Sequence, residues 1–288
     1  MTVAGPELLG LLGLGLGAGL LGALVGIGGG VVIVPALLLV FGFDVRIAVA
    51  TSLLAVVGTS VAAGSLNQAS GLANLRIGLS LELVTILGGI AGGLVATAIA
   101  PHLLGALLGV LLGVTAVLLL RGRQEEGEGL EVSGASEGDD ATQAPGHLGG
   151  TYRDGHSGQV IAYDAERVPA TSAIAFGAGT LSGLLGVGGG FLKVPAMNLV
   201  MGLPLKVAAA TSSFMVGITA LASLFIYVAR GYFYPYLAAP VVVGVLVGGI
   251  SGARLQHRSS PRVLRLVLAA VLALVAVQLL LRAIGVAS

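Results

Sequence analysis

The chain has no cysteine and no tryptophan, and only 9% of its 288 residues are charged. Without cysteine there are no disulfides, no thiol catalysis and no thiolate metal sites. So little charge cannot cover a water-facing surface, because an ordinary soluble domain carries about 25% charged residues. The formal net charge of +1 supplies no basic surface for nucleic acid. The first ten residues, MTVAGPELLG, lack a basic n-region, so no cleaved signal peptide is expected. Inside the apolar segments ionisable groups are almost absent. Glu82 and Lys193 are the exceptions, and His102 and His257 fall at segment ends. That scarcity argues against an intramembrane enzyme, a metal site or a bound cofactor.

What remains is apolar. Hydrophobic residues make up 56% of the chain, glycine contributes 48 residues, and the mean hydropathy is +1.03. Apolar runs of roughly 20 residues recur, long enough to cross a hydrocarbon core of about 30 Å. They are continuous and do not alternate, which excludes a transmembrane β-barrel. The pattern predicts an all-α, multi-pass integral membrane protein, placed in the cytoplasmic membrane.

The second half repeats the first at a constant offset of 160 residues. Gly26, Gly28, Gly29, Gly30 and Pro35 recur as Gly186, Gly188, Gly189, Gly190 and Pro195. Ala50-Thr51-Ser52 recurs as Ala210-Thr211-Ser212, and Gly88, Gly89 and Gly92 as Gly248, Gly249 and Gly252. Each half divides into four apolar segments, at about 7–43, 45–65, 78–100 and 103–120, then about 169–203, 205–229, 236–254 and 263–284. Residues 1–120 and 169–288 are thus read as two homologous transmembrane repeats. Residues 121–168 hold ten of the thirteen acidic residues and read as a flexible polar linker.

Arginine and lysine placement bears on topology. If every segment crossed once, the basic residues outside the breaks would divide six against seven. If the first segment of each half instead dips in and returns, or crosses twice, the halves are inverted. Arg76, Arg121, Arg123, Arg153, Arg167, Lys206, Arg254, Arg258, Arg262 and Arg265 then face Arg46, Arg230 and Arg282, ten against three. This predicts inverted repeats, with the linker cytoplasmic and both termini outside. A first segment of about 37 residues would be near 55 Å as one helix, too long for a single span. A re-entrant hairpin and a tilted broken helix both remain open.

The break in that segment is chemically specific. Three successive glycines weaken a helix by about 1 kcal/mol each relative to alanine and let a backbone or ligand come close. The helix that restarts beyond them presents unpaired N–H groups, which suit an anion. Pro35 and Pro195 help to fix the bend. Thr51, Ser52, Thr211 and Ser212 add neutral hydroxyl donors in register beside the breaks. Lys193, one turn past Gly190, is the one cation near a break. It could neutralise an anion, gate on protonation, snorkel, or pair with Glu82, for which interfacial exposure is expected. The G-x-x-x-G spacings at Gly88/Gly92, Gly105/Gly109/Gly113 and Gly244/Gly248 predict helix-packing faces.

In its paired G-x-G-G-G-x4-P motifs, its downstream A-T-S triplets and its four-plus-four layout around a polar loop, the chain resembles the TauE/SafE sulfite exporter family. The resemblance covers both halves. It implies a secondary transporter, an exporter in the commonest assignment, of small sulfur-containing anions such as sulfite, thiosulfate or sulfonates. An importer of organosulfonates or another small anion on the same scaffold is the alternative. Carried over residue by residue, the implied site is Gly28, Gly29, Gly30, Thr51, Ser52, Gly188, Gly189, Gly190, Thr211 and Ser212. Lys193 joins it from the reading of the residues, with Pro35 and Pro195 as helix-break positions. The expected partners are a small anion and the lipid bilayer. A coupling ion, H+ or Na+, and self-association are left open.

Overall fold

A computed structural model describes residues 5–25, 29–69, 72–121, 148–153, 160–255 and 261–283. The first half folds as α1 (Gly5–Val25), α2 (Gly30–Leu39), α3 (Val45–Ala69), α4 (Leu75–Ala98) and α5 (Pro101–Arg121). The second half folds as α6 (Val168–Leu185), α7 (Gly190–Pro195), α8 (Leu205–Ala229), α9 (Pro235–Leu255) and α10 (Pro261–Ala283). A π-helical turn, Ala196–Val200, follows α7. The first apolar segment of each half is therefore two helices separated at the glycines.

Helices α3, α4, α6, α8 and α9 are long and apolar enough to cross a membrane. Their outward faces carry the residues expected against lipid. Leu83, Leu87, Leu221, Phe225, Val243 and Val247 are each more than half exposed. The inward face of α4 shows the complementary stripe Gly78, Leu81, Glu82, Thr85, Gly88, Gly89 and Gly92, at the three-to-four-residue spacing of one helix face.

The halves interlock. Helix α1 packs on α9, and α4 packs on α6. Because α6 is the counterpart of α1 and α4 that of α9, these are one contact used twice. Helices α3 and α8 meet, as do α5 and α10. Glycine makes the two seams close. A Cβ at Gly88 or Gly92 would overlap the carbonyl of Phe176 or Thr180, and one at Gly248 would overlap that of Leu16. Close backbone approach of this kind drives association where lipid offers no hydrophobic gain. The glycine spacings at 88/92 and 244/248 are thus packing faces, as expected. Gly109 rests on Leu280 and Ala276 of α10, while Gly105 has open space beside it.

Before α6 the chain forms a two-stranded hairpin, β1 (Gly150–Arg153) antiparallel to β2 (Val160–Tyr163). Leu148, Tyr163 and Ala165 pack on a cluster of Ile77, Leu81, Met197, Met201 and Leu203. The Asn74 amide donates to the Tyr163 hydroxyl at 3.1 Å, and the Glu166 N–H donates to the Met201 carbonyl at 3.1 Å. The acidic stretch 122–147 lies outside the described residues.

Candidate functional site

The second break is described in full. Helix α6 closes on Gly186, whose N–H still donates to the Ser182 carbonyl at 2.8 Å. Gly186, Gly188 and Gly189 have φ values of 72°, 87° and 69°, a region costing other residues roughly 1–2 kcal/mol each. The helix restarts at Gly190, the last residue of the triplet. The Gly189 carbonyl accepts from the N–H groups of Leu192 and Lys193, both at 3.2 Å. Pro195 ends α7 and precedes the π-helical turn, in keeping with the i−4 hydrogen bond that proline removes. In the first half Gly29 caps α2, and its carbonyl accepts from Val32 and Ile33 at 3.1 Å. Gly28, one of the expected site residues, lies outside the described residues. Pro35 is buried within α2, whereas Pro195 is exposed.

The two breaks come together. A Cβ on Gly30 would sit 2.6 Å from the Gly186 carbonyl oxygen and 3.1 Å from the Ser52 hydroxyl. Ser52, fully buried, donates to the Gly186 carbonyl at 2.8 Å and has the Gly30 carbonyl at 3.5 Å. Val56, one turn further along α3, lies against Gly188. In the second half Ser212 stands in the same relation to Gly190, its hydroxyl 3.6 Å from where a Cβ would be. Each A-T-S serine therefore faces the glycine of its own half. Ser52 also crosses to the other half.

The threonines differ. Thr211 accepts a hydrogen bond from the Asn74 N–H at 3.0 Å, and the Asn74 side chain in turn caps α4 through Arg76 and Ile77. Thr51 is buried, and its hydroxyl has no hydrogen-bond partner. Ser182, also buried, is likewise unpartnered. Nothing in the sequence singled it out, since its counterpart at the repeat offset is Gly22.

Lys193 is 1% exposed and Glu82 2%. The ammonium lies 3.5 Å from Glu82 Oε2 and donates to Thr219 Oγ1 at 2.8 Å. The Thr219 hydroxyl donates to Glu82 Oε1 at 2.6 Å. The ion pair, one of the readings open for Lys193, is formed. Interfacial exposure of Glu82 is corrected, because α4 turns the carboxylate inward on the same stripe as Gly78 and Thr85. Thr219 was missed. Its one advance signal was its repeat mate, Thr59.

Paired broken helices that meet between two interlocked, lipid-faced halves define a multi-pass membrane transporter, a class in which interrupted helices build the substrate site. Sequence comparison gives the family. Residues 11–279 match the model of the sulfite exporter TauE/SafE family, and the chain belongs to that family, whose proteins are transporters and not enzymes. It is 28% identical to the "Probable membrane transporter protein YunE" of Bacillus subtilis (strain 168), over 93% of this chain and 95% of that protein. It is 29% identical to the "Probable membrane transporter protein MamO" of Magnetospirillum gryphiswaldense, over 52% of this chain and 24% of that protein. No solved structure matches.

Proposed function

We propose that the protein is a secondary transporter of small sulfur-containing anions (sulfite, thiosulfate or sulfonates), working as an exporter in the cytoplasmic membrane. The observation that carries this reading is the meeting of the two glycine breaks around Ser52. Backbone bare of side chains and the Ser52 hydroxyl gather there, while the buried Lys193 ammonium stands apart on Glu82 and Thr219, so there is no cluster of fixed cations. Neutral donors can hold an anion and still release it. The binding residues are Gly28, Gly29, Gly30, Thr51, Ser52, Gly188, Gly189, Gly190, Lys193, Thr211 and Ser212. The unpartnered Thr51 hydroxyl favours that role, because a buried polar group without a partner is costly and is retained where something else uses it. Import of organosulfonates or another small anion on the same scaffold is the second reading. The basic-residue bias supports inverted repeats with the linker cytoplasmic and the termini outside.

Purified protein in liposomes tests the proposal. Labelled sulfite, thiosulfate and methanesulfonate are offered under imposed pH, sodium and potential gradients. Protein-dependent flux of at least one anion is expected. No flux of any of them under every gradient would remove both readings.

A further inference from the structure

We propose that Glu82 and Lys193 form the proton-coupling element of this transporter, so that each monovalent anion crosses together with one proton. The inference rests on the transport reading above and adds the coupling ion and the charge of the cargo; flow then follows the product of anion and proton concentrations, so export runs where the internal anion excess outweighs an inward proton gradient. It starts from a contact between halves. Glu82 stands on α4 of the first half, and Lys193 and Thr219 stand on α7 and α8 of the second. Both charges are withdrawn from solvent, and Thr219 bridges them.

A buried ion pair is weak evidence of a structural need, since apolar residues of similar size commonly pack as well or better. This chain contains its own comparison. At the repeat offset, Lys193 corresponds to Ile33 and Glu82 to Val242. Ile33 lies in the core, and Val242 packs against it. The same scaffold position is therefore built once from apolar residues and once from a charged pair. Packing alone does not call for the charges, and an ionisable group kept inside a membrane span points to function.

Charge balance then sets what the pair can do. With no cargo, the Glu82 carboxylate neutralises the Lys193 ammonium. An arriving monovalent anion takes the carboxylate's place on Lys193 and Thr219. Glu82 would then be an unpaired buried charge, a strongly unfavourable state. It avoids that state by binding a proton from water on the open side. The loaded site holds an ammonium, an anion and a neutral carboxylic acid, and is again neutral. On the opposite side the anion leaves, the Glu82 O–H gives its proton to water, and the carboxylate returns to Lys193. One anion and one proton move in the same direction with no net charge. A monovalent sulfonate or hydrogensulfite fits this balance, and a dianion leaves one charge unmatched. Among the described residues of α4, α6, α7 and α8, the remaining charged side chains stand at helix starts. Arg76 is exposed at the start of α4, Lys206 is exposed at the start of α8, and α6 and α7 add none. Tyr227 on α8 is buried and donates to the Gly183 carbonyl at 2.8 Å.

The experiment uses the full chain in liposomes holding a pH dye, with the membrane potential clamped to zero, and labelled methanesulfonate and sulfite as probes. Acidifying the outside should drive accumulation of the anion, with one proton entering per anion. An imposed potential should leave the rate unchanged. Glu82→Gln, which keeps the size and resembles the protonated acid, should lose pH-driven accumulation and keep anion counterflow. Anion flux without matching proton entry, or pH-driven accumulation that survives Glu82→Gln, overturns the coupling role and leaves transport standing. Folded Glu82→Gln protein without counterflow also overturns it, because the carboxylate would then serve more than the proton. The proton-to-anion ratio of the unmodified protein decides the question even where the variant does not fold. Absence of any anion flux removes the transport reading itself.

Discussion

The Ser52 hydroxyl of the first half donates to the Gly186 carbonyl of the second at 2.8 Å, and so ties one helix break to the other. Ser52 is fully buried. Removing the donor in Ser52→Ala strands a buried acceptor, at a cost of about 1–3 kcal/mol. A lower melting temperature in detergent and slower anion flux in liposomes are expected. An unchanged melting temperature with unchanged flux would show that the bond does not hold the breaks together.

Two adjacent glycines should differ in stability under the same substitution. At Gly30 a methyl group would lie 2.6 Å from the Gly186 carbonyl oxygen and 2.9 Å from Val56 Cγ2. The carbonyl belongs to backbone and cannot swing aside, so Gly30→Ala is expected to cost about 1–3 kcal/mol and to stop transport. At Gly29 the nearest atom is the Ala18 oxygen at 3.4 Å, and φ is −66°. Gly29→Ala should be neutral or stabilising by about 0.4–1 kcal/mol. Thermal melts and flux assays on the two variants side by side check the contrast.

Losing either threonine of the A-T-S triplets should weaken binding, but only one of the two losses should also cost stability. Thr51 has no internal partner, so Thr51→Val removes no bond from the resting fold. It is expected to weaken anion binding about tenfold, the equivalent of about one charge-assisted hydrogen bond. Thr211→Val strands the Asn74 N–H, which Thr211 accepts at 3.0 Å, and is expected to destabilise the protein by about 1–3 kcal/mol. Equilibrium binding and melting measured on each variant test the division. Equal behaviour of the two would contradict it.

The proposed orientation is checked with single cysteines in a chain that has none of its own. Replacing Asp140 should give a thiol that an impermeant reagent reaches only from inside. Replacing Ser288 should give one reached from outside intact cells. Labelling at position 140 from outside would sink the inverted arrangement.

Much of the framework was legible in the sequence, because it follows from local properties of the chain. Apolar run length marked where helices could cross lipid. Consecutive glycines marked where they could not continue, and the constant offset showed that this happens twice. The packing role of Gly88, Gly92, Gly244 and Gly248 was readable because small residues one helical turn apart let a neighbouring backbone come close, although Gly105, in the same spacing, has none beside it. What lay beyond sequence was the identity of each neighbour. Nothing local distinguishes Thr51 from Thr211, yet one is unpartnered and the other receives Asn74. The connector's composition gave no sign of the strands at 150–153 and 160–163, which pair with each other and reach Asn74 through Tyr163.

The sequence by itself determined a duplicated, helical, membrane-spanning chain with a weak point in the leading segment of each half, since propensity and hydropathy act residue by residue. Only the tertiary structure decided that the weak points touch, that Ser52 joins them, and that Glu82 turns inward to meet Lys193 across 111 positions of chain. Those outcomes depend on which helix faces which, and that is settled by close packing between segments far apart in sequence.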